Sequence, residues 1–306
     1  VKFRVCSISG NNVTIEYVVE EDVKPNANAN AKDKSGYSLN LEIPRLNEAN
    51  VFVAHSLKVN GAELLNYALE WDDTKKHSSW VAFAFDETTR KAGDGVKRKD
   101  NFVVDPLLPE AMQVTDEQHK SDGFDRGHIC GSADRLFTQE ANDQTFYFSN
   151  MSPMIHSFNS PYWAEFEEQV RKWGGAEKDF TTTYSKLYVV KGGALNELLV
   201  SYTGQKNGGD NIKPTTDANG FTKGGLACPK YYFMAVLSET DGAYHAIGFR
   251  VEHKEYSKAP TLEELKASAL SIDELEEKTG IDFFCNLPDD LENTVESSMN
   301  LDDWAW

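Results

Sequence analysis

At 306 residues, 40% apolar and 26% charged, the chain has an ordinary globular composition and enough length for one large core or two modest ones. No apolar run approaches the roughly 18 to 20 residues of a membrane-spanning helix, so no helical span is expected. A formal net charge of −18 weighs against a polyanionic partner, but residues 258–306 carry 13 acids against 3 lysines and leave only −8 for the rest.

In chain order, VKFRVCSI and VTIEYVVE around Gly10-Asn11-Asn12 predict a hairpin, and polar Lys24–Gly36 reads as a linker. This divides an N-terminal extension, 1–36, from a main domain, 37–306. Short apolar runs (SLNLEI, VFVAHSL, WVAFAF) precede a central helical region, and KLYVVKG, YYFMAVL and AYHAIGFRV follow it. That order predicts an α+β fold rather than a doubly wound parallel sheet. Thr261/Glu264 and Ser271/Glu274 fit capping boxes, and Gly280 ends the second helix. Ile281, Phe283, Phe284 and Leu287 should dock this acidic segment, 258–306, on the main domain with its acidic face toward solvent. Cys6, Cys130, Cys228 and Cys285 lack metal-ligand spacing, leaving either one or two disulfides or buried thiols.

The chemistry concentrates in Gly123-Phe-Asp125-Arg126-Gly127-His128-Ile-Cys130 and in Ser149-Asn150 through Asn159 to Trp163 and Glu167. A histidine beside glycine and arginine offers a base, room for a substrate backbone and a fixed positive charge. Ser160 as cap and Pro161 as first residue suit the start of a helix immediately after Asn159, while Trp163, Phe166, Val170 and Trp173 recur at helical spacing and belong in the core. Basic residues also gather at Arg90, Lys91, Lys97, Arg98 and Lys99.

Taken in order, Asp125-Arg126-Gly127-His128, Ser132-Ala-Asp-Arg135, and the asparagine-bearing segment ending in Trp163 and Glu167 resemble the DNA/RNA non-specific endonuclease family, over most of residues 37–254. Arg98-Lys-Asp-Asn-Phe-Val-Val-Asp105-Pro resembles its upstream arginine segment. The resemblance implies an antiparallel-rich central sheet with an embedded ββα-metal motif, and DNA and RNA as substrates. It further implies His128 as general base, Asn159 as ligand of Mg²⁺ (Mn²⁺ substituting), and Glu167 as holder of a water on that metal. Arg98, Arg126 and Arg171 would contact phosphate and Asn150 would position the site. Cleavage to 5′-phosphate ends is expected. One departure is Met154 after Pro153, where the family commonly has glutamine.

Other readings stand beside these. A nuclease fold without activity, acting as a nucleic-acid or protein binding module, and a phosphodiesterase for small substrates are the rival functions. His156 is expected on a loop rather than as a second ligand, Asp134 with Arg135 as a structural pair, and Glu167 with Arg171 as an exposed ion pair one turn apart. Because indiscriminate cleavage endangers a genome, export is expected; the chain begins at Val1, consistent with a removed leader.

Overall fold

The structure, a computed structural model, describes residues 2–9, 12–18, 26–177, 181–182, 184–206 and 212–306. Strands β1 (Lys2–Ser9) and β2 (Asn12–Val18) form the expected antiparallel hairpin; Gly10 and Asn11 of its turn lie outside the described residues. The main sheet begins with β3 (Val51–Val59), β4 (Ala62–Asp72) and β5 (His77–Phe85). Helix α1 (Asp116–His119), strand β6 (Asp125–His128), helix α2 (Gln139–Gln144), strand β7 (Met151–Met154) and helix α3 (Ala164–Gly174) form the central insertion. Strands β8 (Lys186–Gly193), β9 (Tyr231–Thr240) and β10 (Ala243–Glu252) return to the sheet, followed by α4 (Leu262–Ala267), β11 (Ala269–Leu270), α5 (Ile272–Thr279) and α6 (Asp289–Glu296).

Seven strands lie in the order β11-β10-β9-β8-β5-β4-β3, every neighbouring pair antiparallel, as the α+β reading requires. Side chains alternate between two covered faces, so the central strands read as nearly continuous apolar runs. On one face Leu69, Val81, Phe83, Val189, Met234 and Phe249 join α3 and the β6/β7 hairpin in a core. On the other, Ala82, Val190, Phe233, Ala235 and Leu237 meet Ile272, Leu275, Phe283, Phe284 and Leu287 of the C-terminal segment.

Several local expectations change. SLNLEI is not a strand: Tyr37–Leu39 is a single tight turn, and the following carbonyls are taken by side chains. Asn286 Nδ2 donates to Ser38, Asn40 and Ile43, and Asn30 Nδ2 to Ser38 and Pro44. The same contacts pack the stretch read as a linker, since Asn26 Nδ2 donates to Leu287 O at 2.6 Å and Asn28 reaches Asp282 and Glu292. Strand β4, absent from the apolar runs above, is joined to β3 by Asn60-Gly61, both at positive φ (51° and 85°), the combination that a two-residue hairpin turn demands.

Both C-terminal capping boxes form, and Gly280 closes α5 in the left-handed region at φ 73°. The segment nevertheless crosses the sheet edge: Leu265 and Trp304 pack on the α3 face and α5 and α6 on the other. Its acidic side is not wholly solvated, because Glu292 and Glu296 are buried. Cys130, Cys228 and Cys285 are buried free thiols; the side chain of Cys6 lies outside the described residues.

Candidate active site

β6 pairs with β7 so that Asp125 faces Met154 and His128 faces Met151, and α3 follows them to complete a ββα unit. Gly127 is dictated by packing: a Cβ there would lie 2.2 Å from Sδ of Met154. Met154, the departure from the expected glutamine, thus fills the space that glycine leaves. Asn150 is fully buried and spends its amide on backbone, accepting from Cys130 N at 2.8 Å and donating to Cys130 O and Thr145 O. It fastens the chain just beyond β6 to the turn before β7.

The segment bearing Arg98 is anchored by Asp105, which accepts from Ser149 Oγ and pairs with His55 at 3.0 Å. This sets Phe102 against Phe146, Phe148 and the ring of His128. His128 stands edge-on to Phe146 with centroids 4.8 Å apart. Arg98 lies over this same ring, 5.3 Å from the Phe146 centroid, while Arg126 lies 5.1 Å from that of Phe102. Aromatic faces that also touch the imidazole thus hold the two guanidiniums, and Arg98 is the nearer in effect, since its charge acts on His128. Their side chains are 55% and 30% exposed, with Asp100 and Asp116 as exposed carboxylate partners that a phosphate can displace.

The His128 residue is half-buried, yet its Nε2 is shielded and has no protein partner. Burial first, then the charges of Arg98 and Lys191, push its pKa down to about 3. The ring is neutral at pH 7, with a nitrogen that no described protein group occupies.

Asn159 Nδ2 donates to Asp125 Oδ2 at 2.9 Å, and His156 Nδ1 contacts the same oxygen at 2.9 Å. This orients the Asn159 carboxamide, and no described group donates to its Oδ1. A neutral, hard oxygen of that kind fits a magnesium ion that keeps most of its water. His156 is exposed, as a surface residue was expected to be, but it stands in a short helical turn rather than a loop and contacts Asp125. The helical turn starts where Ser160 and Pro161 suggested: Ser160 is extended (φ −143°, ψ 121°), the one residue of Phe158–Trp163 outside helical geometry, and from Pro161 the chain runs into the regular helix that begins at Ala164. A residue preceding proline is driven out of the helical region, which leaves Asn159 immediately ahead of this start. Trp163, Phe166, Val170 and Trp173 are core, as read.

Glu167 and Arg171 do not form the exposed pair predicted from spacing. Lys191 of β8 is nearer: its ammonium contacts Glu167 Oε1 and lies 3.4 Å from Asp134 Oδ2. Arg171 reaches Asp134 at 3.3 Å and Glu177 at 2.5 Å, and its side chain is only 12% exposed. The structure thus turns Arg171 inward, onto carboxylates rather than toward the exposed surface. Burial opposes the charge of Lys191, but Glu167 and Asp134 outweigh it and raise its pKa; burial likewise opposes Asp134, whose pKa Lys191, Arg171 and Arg135 lower. Glu167 Oε2 has no described protein partner. Asp134 and Arg135 do not pair with each other: Arg135 is wholly buried over Phe83 and Phe85 and donates to Ala84 O.

Asp125 and Lys191 are the two contributors that the sequence reading did not single out. Asp125 had a visible signal, since it opens the Asp-Arg-Gly-His run, whereas Lys191 lies inside an apolar strand and had none.

A sequence profile described as DNA/RNA non-specific endonuclease matches residues 48–290. A nuclease of Syncephalastrum racemosum is 30% identical over 228 residues, spanning 74% of this chain and 67% of that protein. A nuclease of Nostoc sp. is 29% identical over 242 residues, 76% of each, and human mitochondrial endonuclease G is 26% identical, over 72% and 68%. The fold matches EndoG in the crystal structure of the EndoG/EndoGI complex with a TM-score of 0.57 at 20% identity, covering 77% of this chain and 87% of that one. The protein is a nuclease belonging to the DNA/RNA non-specific endonuclease family.

Proposed function

We propose that the chain is a metal-dependent endonuclease that hydrolyses phosphodiester bonds of DNA and RNA to 5′-phosphate ends, with His128 as general base. The observation that carries this reading is the neutral Nε2 of His128, without a partner among the described residues, in an aromatic cluster that also holds Arg98 and Arg126, on the hairpin whose Asp125 orients Asn159. His128 Nε2 takes a proton from water, and the oxygen so formed attacks phosphorus in line as the P–O3′ bond breaks. Arg98 and Arg126 bind non-bridging phosphate oxygens and stabilise the charge that gathers there. Asn159 Oδ1 would hold Mg²⁺, with Mn²⁺ as a substitute, and the ion when bound would supply positive charge to the departing oxygen. Glu167, kept in place by Lys191, orients water with its second oxygen.

Contacts to phosphate and sugar carry no base information, which supports cleavage without sequence preference. Export belongs to the same reading, because such cleavage endangers a host genome. Conversion of supercoiled plasmid and of RNA in Mg²⁺, lost in EDTA and giving ligatable 5′-phosphate ends, is the result expected. Binding of both polymers without product in saturating Mg²⁺ would instead favour an inactive binding module.

A further inference from the structure

Across the sheet from His128, α5 and α6 and the chain near Asn28 enclose a pocket lined by Asp273, Glu276, Asp282, Asp289, Glu292 and Glu296. Some of these carboxylates are satisfied. Asn28 Nδ2 serves Asp282 and Glu292, Ala27 N donates to Asp289 Oδ1 at 2.8 Å, and Phe283 N donates to Glu276 Oε1 at 2.6 Å. No described lysine or arginine forms an ion pair with any of the six.

Glu296 is the anomaly. Its residue is 4% exposed, it faces this pocket, and its Oε1 has no hydrogen-bond partner. A buried carboxylate oxygen left without donor or counter-ion is strongly disfavoured. One oxygen each from Asp273, Glu276 and Glu296 lie within 4.8 Å of one another. Three carboxylate oxygens that close can share one hard cation, and calcium accepts several carboxylates in a flexible shell, whereas magnesium usually keeps most of its waters and takes one or two. Exposed Asp273 leaves the cluster open to water, which can complete the six to eight ligands calcium takes.

We propose that Asp273, Glu276 and Glu296 bind a calcium ion that clasps α5 to α6 on the face opposite the catalytic hairpin. The ion supplies the positive charge that this pocket lacks. Because Asn28 and Ala27 hold the neighbouring carboxylates, it also fastens the chain at residues 27 and 28 to the C-terminal helices. Without a cation, burial first and the adjoining carboxylates second push Glu276 up to about 8 and Glu296 up to about 10, so a proton is the competing occupant.

The inference does not rest on the catalytic reading, and its test separates the two. The full chain carrying Asn159→Ala, which removes the proposed catalytic ligand, is titrated with CaCl₂ by calorimetry and melted in EDTA, Ca²⁺ or Mg²⁺. One calcium per chain should bind, and calcium about a hundredfold above its dissociation constant should raise the melting temperature by roughly 5 °C, Mg²⁺ by less. Adding Glu296→Gln, or Asp273→Asn at an exposed position that threatens no packing, should abolish that shift while leaving the melting temperature in EDTA unchanged or higher. No calcium binding at millimolar concentration, or an undiminished shift in both variants, would overturn the site. An equal response to Mg²⁺ would overturn its assignment to calcium.

Discussion

The two faces of the sheet treat buried charge in opposite ways. On the face of the candidate site Lys191 and Arg171 meet Asp134 and Glu167 at close range, so each of these two carboxylates has a cation beside it. On the other face, six carboxylates share a pocket without one ion-paired lysine or arginine among the described residues. A matched network resists rearrangement, since removing any member strands its partners. An unmatched one is an invitation to an external cation or a proton. The difference shows why acidity alone does not locate a catalytic centre: the residues proposed for catalysis sit where positive charge is concentrated in a chain of net charge −18.

The largest effect expected on the catalytic face is His128→Ala, which should lower kcat about 10² to 10⁴-fold while Mn²⁺ binding survives. Asn159→Ala should reduce metal affinity and rate together, with partial recovery in excess Mg²⁺ or Mn²⁺. Calorimetry with Mn²⁺ beside plasmid cleavage compares the two defects. Loss of binding in the first variant with retention in the second would exchange the two roles.

Next comes Lys191→Met, which tests whether the network is matched by necessity. Leaving Asp134 and Glu167 buried with one cation fewer should destabilise the fold by about 3 to 5 kcal/mol in denaturant unfolding. On the opposite face, Glu276→Gln measured in EDTA should cost nothing or stabilise, because it fixes the neutral form that burial beside other carboxylates already favours. Equal losses in both variants would erase the contrast between the faces.

A smaller effect concerns acid. His77, His119, His128 and His253 all lie on the catalytic side, and burial is the first cause pushing their pKa values down, to about 4, 3, 3 and 4. A depressed folded pKa means that the unfolded chain binds protons first. Their contribution to stability is thus complete above about pH 6.5 and is lost as pH falls toward 3 to 4. His128, the proposed base, itself stays neutral through this window. Initial rates should therefore hold from pH 7.5 to about 5, while the denaturant midpoint already declines below 6.5. An activity limb centred at 6.5 would contradict the depressed value for His128.

What could be read from the chain follows distance along it. Asp125 to His128, Asn150, Asn159 and Glu167 belong to one hairpin and the helix after it, so their spacing carries their geometry. Lys191 comes from a separate strand, and in KLYVVKG both faces are covered, which removes the alternation that would reveal where a lysine points. Arg135 looked like the partner of Asp134 because it is adjacent, yet Asp134 turns to Arg171 and Lys191 while Arg135 packs over phenylalanines. The sequence DDLENTVE resembles a solvated run, and only its packing beside α5 buries Glu292 and Glu296. The turn that leads into α3 was legible in Ser160 and Pro161, because proline favours the first helical position and the residue before it takes the extended geometry of a cap.

The smallest effect separates exposed from buried arginines on the two faces. Each phosphate contact releases counterions, so the slope of log affinity against log salt changes by about 0.9 for every contact with duplex DNA. Arg98 and Arg126 are exposed beside His128 and should each flatten that slope by about one when changed to alanine. Arg45, whose guanidinium donates to Asn28 O and Ala29 O near the acidic pocket, should leave it unchanged. Arg171→Ala should lower the melting temperature more than it alters the slope, because its charge is already committed to Asp134 and Glu177. Binding measured between 50 and 200 mM salt with the His128→Ala protein, which does not consume the DNA, gives all four slopes. If Arg45 mattered as much as Arg98, DNA would contact the acidic face as well, and the division of labour between the faces would fail.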